Sequence, residues 1–433
     1  MKNRKTVTLR YGRDGMRLEV PSGAVVLQGR GAPALADPTE AVRSALARPV
    51  GAPPLAELLA ARRPKSVAIT ISDITRPVPN HIFLPLLLED LNRAGVPQAN
   101  TVVIIGTGMH RPSTEKEREL LVGRDILSRV EVIDHAPRDP SALVEVQRDP
   151  PVRANRRFVE AEFRIVTGYI EPHFVAGFSG GRKGVCPALV DLETVQRFHG
   201  YEILAHPLAE NGVLEGNPCH AIALEIARAV GVDFLLNVAI TMDRKVAAVY
   251  AGDLEEAHEK GCAEVKEWVS ALVEEPFDLV ITSGGGFPLD QTFYQTVKSM
   301  CAALPALSGR STLLVASHCG EGVGSPAYRE LLFRYQNDWR RFVKDIGATR
   351  ETRLDQWQFQ LQARVLERIG IEKLRFTSDG IGPAEQGFLA VTPLPGEGDA
   401  AKRSQALVDD FSARYPKARI AAIPDGPYTL LVS

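Results

Sequence analysis

The sequence predicts an α/β protein of two domains, each a mostly parallel sheet flanked by helices. From residue 66 onward, short runs of β-branched residues alternate with helical segments, a pattern typical of βαβ units. The alternation starts again after Glu274-Glu275-Pro276, which places a domain boundary near residue 275. The chain has 433 residues, more than the roughly 250–300 over which a single core grows. We therefore expect an N-terminal domain over 1–274 and a C-terminal domain over 275–433.

Each predicted element of the N-terminal domain has a local signal. The turn 12–15 separates two alternating runs and predicts a hairpin. Asp37 is placed to cap the first helix, and Ser113 begins a later one. The last helix is long and would connect the two domains. The predicted strands are 7–11, 17–20, 66–72, 101–105, 130–134, 164–166, 234–240 and 246–250, and the predicted helices are 37–47, 54–62, 83–94, 113–122, 192–204, 221–229 and 255–273.

The C-terminal domain repeats the same rhythm after residue 276. A β-branched strand is followed by a run of three glycines and then by an amphipathic helix. The predicted strands are 279–282, 312–316, 374–376, 389–391 and 419–422, and the predicted helices are 292–304, 327–346, 354–369 and 400–415.

Composition excludes several classes of protein. The fractions of hydrophobic residues (45%) and charged residues (24%) are those of a globular chain. With 51 Lys+Arg against 53 Asp+Glu the net charge is −2, which gives no general attraction to nucleic acid or anionic lipid. No apolar run reaches the ~18 residues of a membrane span, and the basic start leads into alternating residues rather than an apolar signal core. The 5 cysteines contain no CxxC pair. We expect a cytoplasmic enzyme without nucleic-acid or membrane partners.

Unusual polar clusters follow four of the predicted strands, at 72–77, 106–112, 168–173 and 284–290. In open α/β sheets ligands bind beyond the carboxyl ends of the strands, so these clusters build one site if they converge. Arg76 is a candidate for binding a carboxylate or phosphate, held in place by Asp73, although the two are equally an ordinary loop ion pair. His110 is a candidate acid/base group.

The stretch 171–200 is the most informative part of the sequence. It contains Gly177, Gly180, Gly181 and Gly184 within eight residues, together with Arg182 and Lys183. Glycine backbone N–H groups beside two cations are typical of an anion-binding nest, and the spacing fits neither the Walker pattern nor the dinucleotide fingerprint. A lysine in such a loop is alternatively a nucleophile that forms a covalent adduct. A tight structural turn with solvated cations is the plainer alternative.

Two histidines flank this loop, and a polar helix begins the second domain. His173 and His199 lie in no HExxH or three-histidine pattern, so their spacing alone does not predict a metal site. One imidazole would still suffice for a metal that prefers nitrogen and sulfur ligands, if its other donors come from a bound ligand. Tyr294 and Lys298 share one helical face, and Gln295 shares another with Gln291. They form either a polar lid or an ordinary exposed first turn.

Taken together and in this order, these motifs resemble the nickel-dependent lactate racemase family. The matching strings are SDITRP at 72–77, GTGMHRP at 106–112, HFVAGFSGGRKG at 173–184, His199, and GGGFPLDQTFYQTVK at 284–298. The match spans both domains, and no residue of the motif set is missing. The resemblance implies a nickel-pincer nucleotide, a pyridinium-3-thioamide-5-thiocarboxylic acid mononucleotide, joined to a lysine through a thioamide.

By position, the resemblance also assigns roles to particular residues. It implies that Lys183 carries the cofactor, that His199 is the protein ligand to nickel, and that His110 and His173 are the acid/base pair. The other implied cofactor contacts are Asp73, Gly180, Gly181, Arg182 and, by a looser match, Trp357. The implied substrate contacts are Arg76, Tyr294, Gln295 and Lys298.

The sequence thus predicts an isomerase that racemises or epimerises a small 2-hydroxy acid, lactate or a close relative, in the cleft between two domains. Hydride would leave the α-carbon reversibly while two histidines handle the hydroxyl proton. Other proteins would synthesise and load the cofactor. Two alternatives stay open: a non-catalytic protein that binds a phosphorylated metabolite through 177–184, and an enzyme that forms a Schiff base on Lys183.

Overall fold

The computed structural model describes residues 3–349 and 351–432; the outermost residues of the predicted domains, 1–2 and 433, and Arg350 lie outside this description. The strands are β1 (Arg4–Leu9), β2 (Met16–Pro21), β3 (Val25–Val26), β4 (Val67–Ser72), β5 (Thr101–Gly106), β6 (Glu131–Asp134), β7 (Leu143–Arg148), β8 (Pro151–Asn155), β9 (Phe163–Tyr169), β10 (Pro172–His173), β11 (Gly177–Phe178), β12 (Phe234–Ile240), β13 (Val246–Gly252), β14 (Ser270–Leu272), β15 (Phe277–Ser283), β16 (Leu307–Ala316), β17 (Leu374–Thr377), β18 (Thr392–Pro393), β19 (Ile420–Ile423) and β20 (Leu430–Val432).

The α-helices lie between these strands. They are α1 (Pro38–Ala47), α2 (Leu55–Arg62), α3 (Asn80–Arg93), α4 (Glu115–Arg129), α5 (Arg156–Val159), α6 (Leu192–Phe198), α7 (Tyr201–Ala205), α8 (Pro218–Val230), α9 (Glu256–Val269), α10 (Phe293–Ala302), α11 (Pro326–Tyr335), α12 (Trp339–Gly347), α13 (Gln356–Ile369), α14 (Pro383–Gln386) and α15 (Ala400–Arg414). Within the described residues, no helix combines the length and the hydropathy that crossing a bilayer requires.

The first compact unit, here the N-terminal unit, comprises Gly31–Phe198 and Leu208–Trp268. Its six-stranded sheet has the order β13-β12-β9-β4-β5-β6, and every pairing is parallel except that of β12 with β13. The central strand β4 is buried along nearly its whole length, as expected for a strand covered by helices on both faces. Its side chains pack with those of α3 in one hydrophobic core.

The order of these strands defines where a ligand would bind. The chain runs from β4 to β5 to β6 on one side, then returns to the other side of β4 with β9 and β12. The switch point therefore lies between β4 and β9, and ligands of open α/β sheets bind at the carboxyl ends of strands at such a point. The loops that leave β4, β5 and β9 at this edge carry the predicted motifs.

The second unit, here the C-terminal unit, comprises the described residues of 1–30, of 199–207 and of 269–433. Its main sheet has the order β18-β17-β16-β15-β19-β3, with all pairings parallel. Leu279, Ile281 and Leu314 lie in its core together with Leu9 and Leu18 of the β1–β2 hairpin. Helix α13 contacts both α10 and strand β16.

This grouping differs from the predicted domain boundaries in three segments, 3–30, 199–207 and 269–274. Residues 3–30 join the C-terminal unit because β3 pairs with β19 and the hairpin shares its core. The nine residues 199–207 join it because α7 contacts α12 and α13. His199 is therefore grouped with the C-terminal unit, whereas its neighbour Phe198 closes the first part of the N-terminal unit.

The predicted fold class is confirmed, and several individual elements are wrong. The predicted helix 192–204 is two helices, interrupted at His199 and Gly200. The predicted helix 327–346 is also two, because Gln336 and Asn337 adopt left-handed backbone conformations with φ of 44° and 70°. Helix α9 ends at Val269, where the chain enters strand β14, and the strand predicted at 389–391 lies instead at Thr392–Pro393.

Candidate active site

His110 and Asp73 form the shortest contact between predicted site residues. Asp73 follows β4 and is buried, whereas His110 follows β5 and its side chain is 54% exposed. The His110 Nδ1 atom lies 2.6 Å from the Asp73 carboxylate, and Thr75 donates to the other carboxylate oxygen. Burial opposes ionisation of Asp73, but its hydrogen bonds and charge interaction with His110 outweigh this and hold its pKa below the ordinary value.

The carboxylate fixes the tautomer of His110. Because an ionised Asp can only accept, Nδ1 of His110 carries the hydrogen and donates it. In the neutral ring Nε2 is then unprotonated and able to accept a proton. The arrangement therefore presents a general base at the carboxyl end of β5.

Arg76 is held by Glu171 rather than by Asp73, which corrects the expected pairing. The guanidinium of Arg76 forms an ion pair with Glu171, which follows β9 across the switch point. Burial lowers the pKa of Arg76, but the charge of Glu171 outweighs it and the net pKa is raised. Sequence reasoning did not single out Glu171, although it directly precedes the Pro172-His173 pair. The ion pair joins the β4 and β9 loops and orients the cation.

His173 is buried on the short strand β10 and has the opposite tautomer. Its Nδ1 accepts hydrogen bonds from the backbone N–H of Val175 at 3.4 Å and of Ala176 at 3.2 Å. An Nδ1 atom that accepts carries no hydrogen, so the neutral ring is protonated at Nε2. His173 thus presents an N–H donor where His110 presents an acceptor.

The glycine loop is tightly built against its neighbours. Gly180 and Gly181 have φ of 76° and 53°, a region that favours glycine. The N–H of Gly181 donates to Asn237 Oδ1 at 2.7 Å, and a β-carbon at Gly181 would lie 2.5 Å from the ring of His258. Asn237 and His258 were not identified from the sequence, because no local motif links them to the loop.

Arg182 points into the protein, where its side chain is almost fully buried. It donates to the backbone carbonyl of Ala176 at 2.6 Å and lies 3.1 Å from Nε2 of His258, and its Nε has no partner among the described residues. Burial without a neighbouring carboxylate lowers its pKa to about 10. A second positive charge close by is therefore unfavourable.

The positive charge of Arg182 acts on the neighbouring Lys183. This lysine is partly buried, and its Nζ lies 5.7 Å from the centre of the Phe198 ring. Burial, together with the positive charges of Arg182 and Arg76, lowers its pKa to about 7. Close to half of the amine is then neutral near pH 7, as a nucleophilic lysine requires.

A groove of about 820 Å³ lies beside His110 and belongs entirely to the N-terminal unit. Its walls combine apolar side chains with arginines. Arg111 and Arg118 are paired with Glu117 and Asp134, whereas Arg138 has no ion pair among the described residues. The groove therefore offers both an apolar wall and an exposed cation.

The C-terminal unit brings together another set of predicted residues. Trp357 Nε1 donates to the hydroxyl of Tyr294 at 2.9 Å, and that hydroxyl donates to Asp355 at 3.2 Å. Ser325 donates to the same carboxylate. The ring of His199 lies against that of Trp357, with centroids 4.8 Å apart. Burial and the nearby Asp355 raise the pKa of Tyr294, so its hydroxyl stays protonated.

Gln295 and Lys298 lie on the same helix as Tyr294. Thr292 caps α10 by accepting the N–H of Gln295, and the Oε1 atom of Gln295 is buried without a partner among the described residues. A buried acceptor of this kind leaves a hydrogen bond to be made by a ligand or water. Lys298 is partly buried one turn further along.

The predicted residues therefore fall into two groups. The N-terminal unit contains Asp73, Arg76, His110, His173, Gly180, Gly181, Arg182 and Lys183, and the C-terminal unit contains His199, Tyr294, Gln295, Lys298 and Trp357. No cluster of three or more His, Cys, Asp or Glu able to hold a metal occurs in the described part of the chain. His199 is an imidazole that lies against Trp357, and a metal held by it would need its other ligands from a bound organic group.

Comparison with known proteins identifies the family. The profile of the Lactate racemase N-terminal domain matches residues 11–212, and that of the Lactate racemase C-terminal domain matches 272–381. A lactate racemase of Thermoanaerobacterium thermosaccharolyticum is 32% identical over 428 residues, 97% of each chain. A lactate racemase of Lactiplantibacillus plantarum is 34% identical over 391 residues, 89% of each chain.

Solved structures agree with this. The lactate racemase apoprotein from Thermoanaerobacterium thermosaccharolyticum matches with a TM-score of 0.89 and 30% identity, covering 99% of this chain and 100% of that one. A Thermotoga maritima protein matches with a TM-score of 0.65 at 18% identity, covering 87% and 97%, and shows likeness of fold alone.

The fold and these relatives define the chain as an isomerase of the racemase type. More particularly, it belongs to the lactate racemase family, as the motifs had indicated. The alternative of a non-catalytic binding protein is set aside on this ground.

Proposed function

We propose that this chain racemises lactate, or a closely related 2-hydroxy acid, with a nickel-pincer nucleotide attached to Lys183. The observation that carries the proposal is Lys183 itself, a partly buried amine in a glycine-rich turn with a pKa of about 7. Such an amine is a nucleophile near neutral pH, whereas an ordinary lysine is almost fully protonated. When bound, the cofactor supplies a hydride acceptor that an ordinary set of side chains lacks.

The residues around Lys183 fit this attachment. Gly180 and Gly181 hold the lysine in a short turn, and Asn237 fixes that turn from strand β12. Arg182 ties the turn to Ala176 and keeps a positive charge next to the amine. His199 would supply the one protein ligand to nickel.

The two histidines are arranged to move the hydroxyl proton. His110 presents an unprotonated Nε2, because Asp73 takes its Nδ1 hydrogen, and it would remove the proton from the substrate hydroxyl. His173 presents an Nε2–H, because its Nδ1 accepts two backbone N–H groups, and it would donate a hydrogen bond to the oxygen of the planar keto acid, while protonated His110 returns the proton that it removed. A racemase acts on both enantiomers of its substrate, so it needs a group that reaches the substrate oxygen in each of them. Two histidines supply these groups.

The remaining residues would hold the substrate. Arg76 has five N–H donors, only part of which Glu171 occupies, so it can also bind the substrate carboxylate. The buried Oε1 atom of Gln295, which has no partner within 3–349 and 351–432, would accept a hydrogen bond, and Tyr294 and Lys298 lie on the same helix. Fixing the carboxylate while the carbonyl group turns over allows hydride to return to either face.

The test is interconversion of D- and L-lactate, followed by chiral chromatography, with protein produced together with cofactor-synthesis proteins. Wild type and Lys116→Arg, an exposed helical control, are expected to racemise lactate, whereas Lys183→Arg is expected to lose activity by at least about 10³-fold. Activity of Lys183→Arg equal to wild type would overturn the attachment. Racemisation of malate without lactate would overturn the choice of substrate.

A further inference from the structure

Helix α13 carries four glutamines at alternate positions, and all four are buried. Gln356, Gln358, Gln360 and Gln362 are at most 4% exposed. Burying an amide is costly unless it is hydrogen-bonded, so each of these side chains needs a partner. The partners show what the helix holds in place.

Gln358 and its neighbours join α13 to helix α10. The Gln358 amide donates to the backbone carbonyl of Tyr294, and Trp357 donates to the Tyr294 hydroxyl. Asp355, just before the helix, accepts from the same hydroxyl. Tyr294 is thus held at both its backbone and its side chain by residues of one short stretch.

Gln360 joins the same helix to the segment that contains His199. Its Nε2 donates to the backbone carbonyl of Tyr201 at 2.9 Å, two residues after His199. Tyr201 begins α7, which is only five residues long and therefore has little stability of its own. Together with the Trp357 ring against His199, this hydrogen bond fixes the position of 199–207 within the C-terminal unit.

We propose that Gln360 is a positioning residue that sets the His199 imidazole against Trp357 and at a fixed distance from Tyr294. The inference rests on the proposed function, in which His199 is the nickel ligand and Tyr294 contacts the substrate. Ligands and substrate contacts must be held within about 0.5 Å of their working geometry. Gln360 and Gln358 act through one rigid helix, which is how two separate segments keep a constant separation.

Gln362 provides a matched control on the same helix. It accepts from the Tyr328 hydroxyl at 2.7 Å and donates to the carbonyls of Leu389 at 2.7 Å and Ala390 at 3.1 Å, none of which is a predicted site residue. By contrast, the Gln360 side chain makes a single hydrogen bond within the described residues, that to Tyr201. Its Oε1 atom has no partner there. Replacing Gln362 therefore breaks more hydrogen bonds than replacing Gln360.

The experiment compares Gln360→Met with Gln362→Met, in which the shape of the side chain is nearly kept. The unloaded protein is labelled with 5-fluorotryptophan, and its three tryptophan resonances are assigned with Trp357→Phe and Trp339→Phe. Gln360→Met is expected to shift or broaden the Trp357 resonance and to leave Tm nearly unchanged. Gln362→Met is expected to lower Tm more and to leave the Trp357 resonance in place.

Kinetics of the loaded protein complete the test. Gln360→Met is expected to lower kcat by about 10–100-fold while KM changes less than about threefold. Gln362→Met is expected to retain wild-type kinetics below its unfolding temperature. An unchanged Trp357 resonance and kcat in Gln360→Met, or equal effects of both substitutions, would overturn the proposal. If the loaded wild type fails to racemise while the resonance still moves in Gln360→Met alone, the function is overturned and the positioning stands.

Discussion

His110 and His173 differ in the hydrogen that each ring presents, and the difference comes from single neighbouring groups. A buried carboxylate accepts from Nδ1 of His110, whereas two backbone N–H groups donate to Nδ1 of His173. The first arrangement leaves Nε2 basic and the second leaves it protonated. The chemistry assigned to each histidine is therefore set by the groups that hydrogen-bond to its Nδ1 atom.

Replacing Asp73 with Asn tests this dependence. An Asn amide can donate to Nδ1 of His110, which would move the ring hydrogen to Nε2 and remove the base. We expect kcat to fall by about 10²–10⁴-fold with KM nearly constant, by analogy with other histidine–carboxylate pairs. Steady-state kinetics of racemisation by the loaded protein measure both kcat and KM. Asp243→Asn, on an exposed turn, is the control, and an Asp73→Asn enzyme as fast as this control would refute the assignment.

The pH dependence of Lys183 provides a second prediction. Its pKa is lowered to about 7, so the neutral amine is half formed near pH 7 and nearly complete by about pH 8. Acetylation of Lys183 in the unloaded protein should rise with pH to a plateau above about pH 8. A lysine peptide in the same reaction, with a pKa near 10.4, should still be rising there. Peptide mass spectrometry follows both rates, and parallel pH profiles would rule out the lowered pKa.

Among the elements, the turn 180–184 is closely packed around Gly181. A side chain at Gly181 must adopt a positive φ and would also collide with the His258 ring. Gly95 has a φ of 81°, and a β-carbon added there would have no atom within 4 Å. A substitution at Gly95 therefore measures only the free-energy cost of a positive φ.

Gly181→Ala is therefore expected to be more destabilising than Gly95→Ala. Backbone strain alone should cost about 1–2 kcal/mol at either position, and the collision should add about 1–3 kcal/mol at Gly181. Urea unfolding gives both free energies of unfolding. Equal losses of stability in the two variants would contradict the close packing of the loop.

Sequence patterns identify the elements whose periodicity extends over many residues. Strands β4 and β5 are apolar over most of their length and helix α3 is apolar over 82–88, and the sequence locates all three closely. The break between α6 and α7 is missed because His199 and Gly200 do not interrupt the apolar spacing on either side. Such a break depends on tertiary contacts, here those of 199–207 with α13, which no local window contains.

The residues of the candidate site likewise divide into those that local sequence motifs identify and those that they miss. His110, His173 and Lys183 lie in recognisable strings, so their identity was accessible from the sequence. Glu171, Asn237 and Gln360 act through contacts between segments far apart in the chain. Single residues of that kind belong to no sequence motif that would identify them. The four alternating glutamines of α13 are the one signal that could have been used, because helices seldom bury that many amides.

At the scale of the whole molecule, each unit contains a mostly parallel sheet whose strand order reverses at an internal strand. In the N-terminal unit the reversal lies between β4 and β9, and Asp73, Arg76, His110 and His173 follow strands at this edge. In the C-terminal unit it lies between β15 and β19, and helix α10 follows β15. The chain supplies Lys183 from one unit and His199 from the other, only sixteen residues apart.

The most direct test of the account is peptide-mapping mass spectrometry of protein produced with the cofactor-synthesis proteins and shown to racemise lactate. We predict a covalent mass increment of a pyridinium mononucleotide on the peptide that contains Lys183, present in proportion to activity and absent from Lys183→Arg. A fully active preparation in which Lys183 is unmodified would contradict the account.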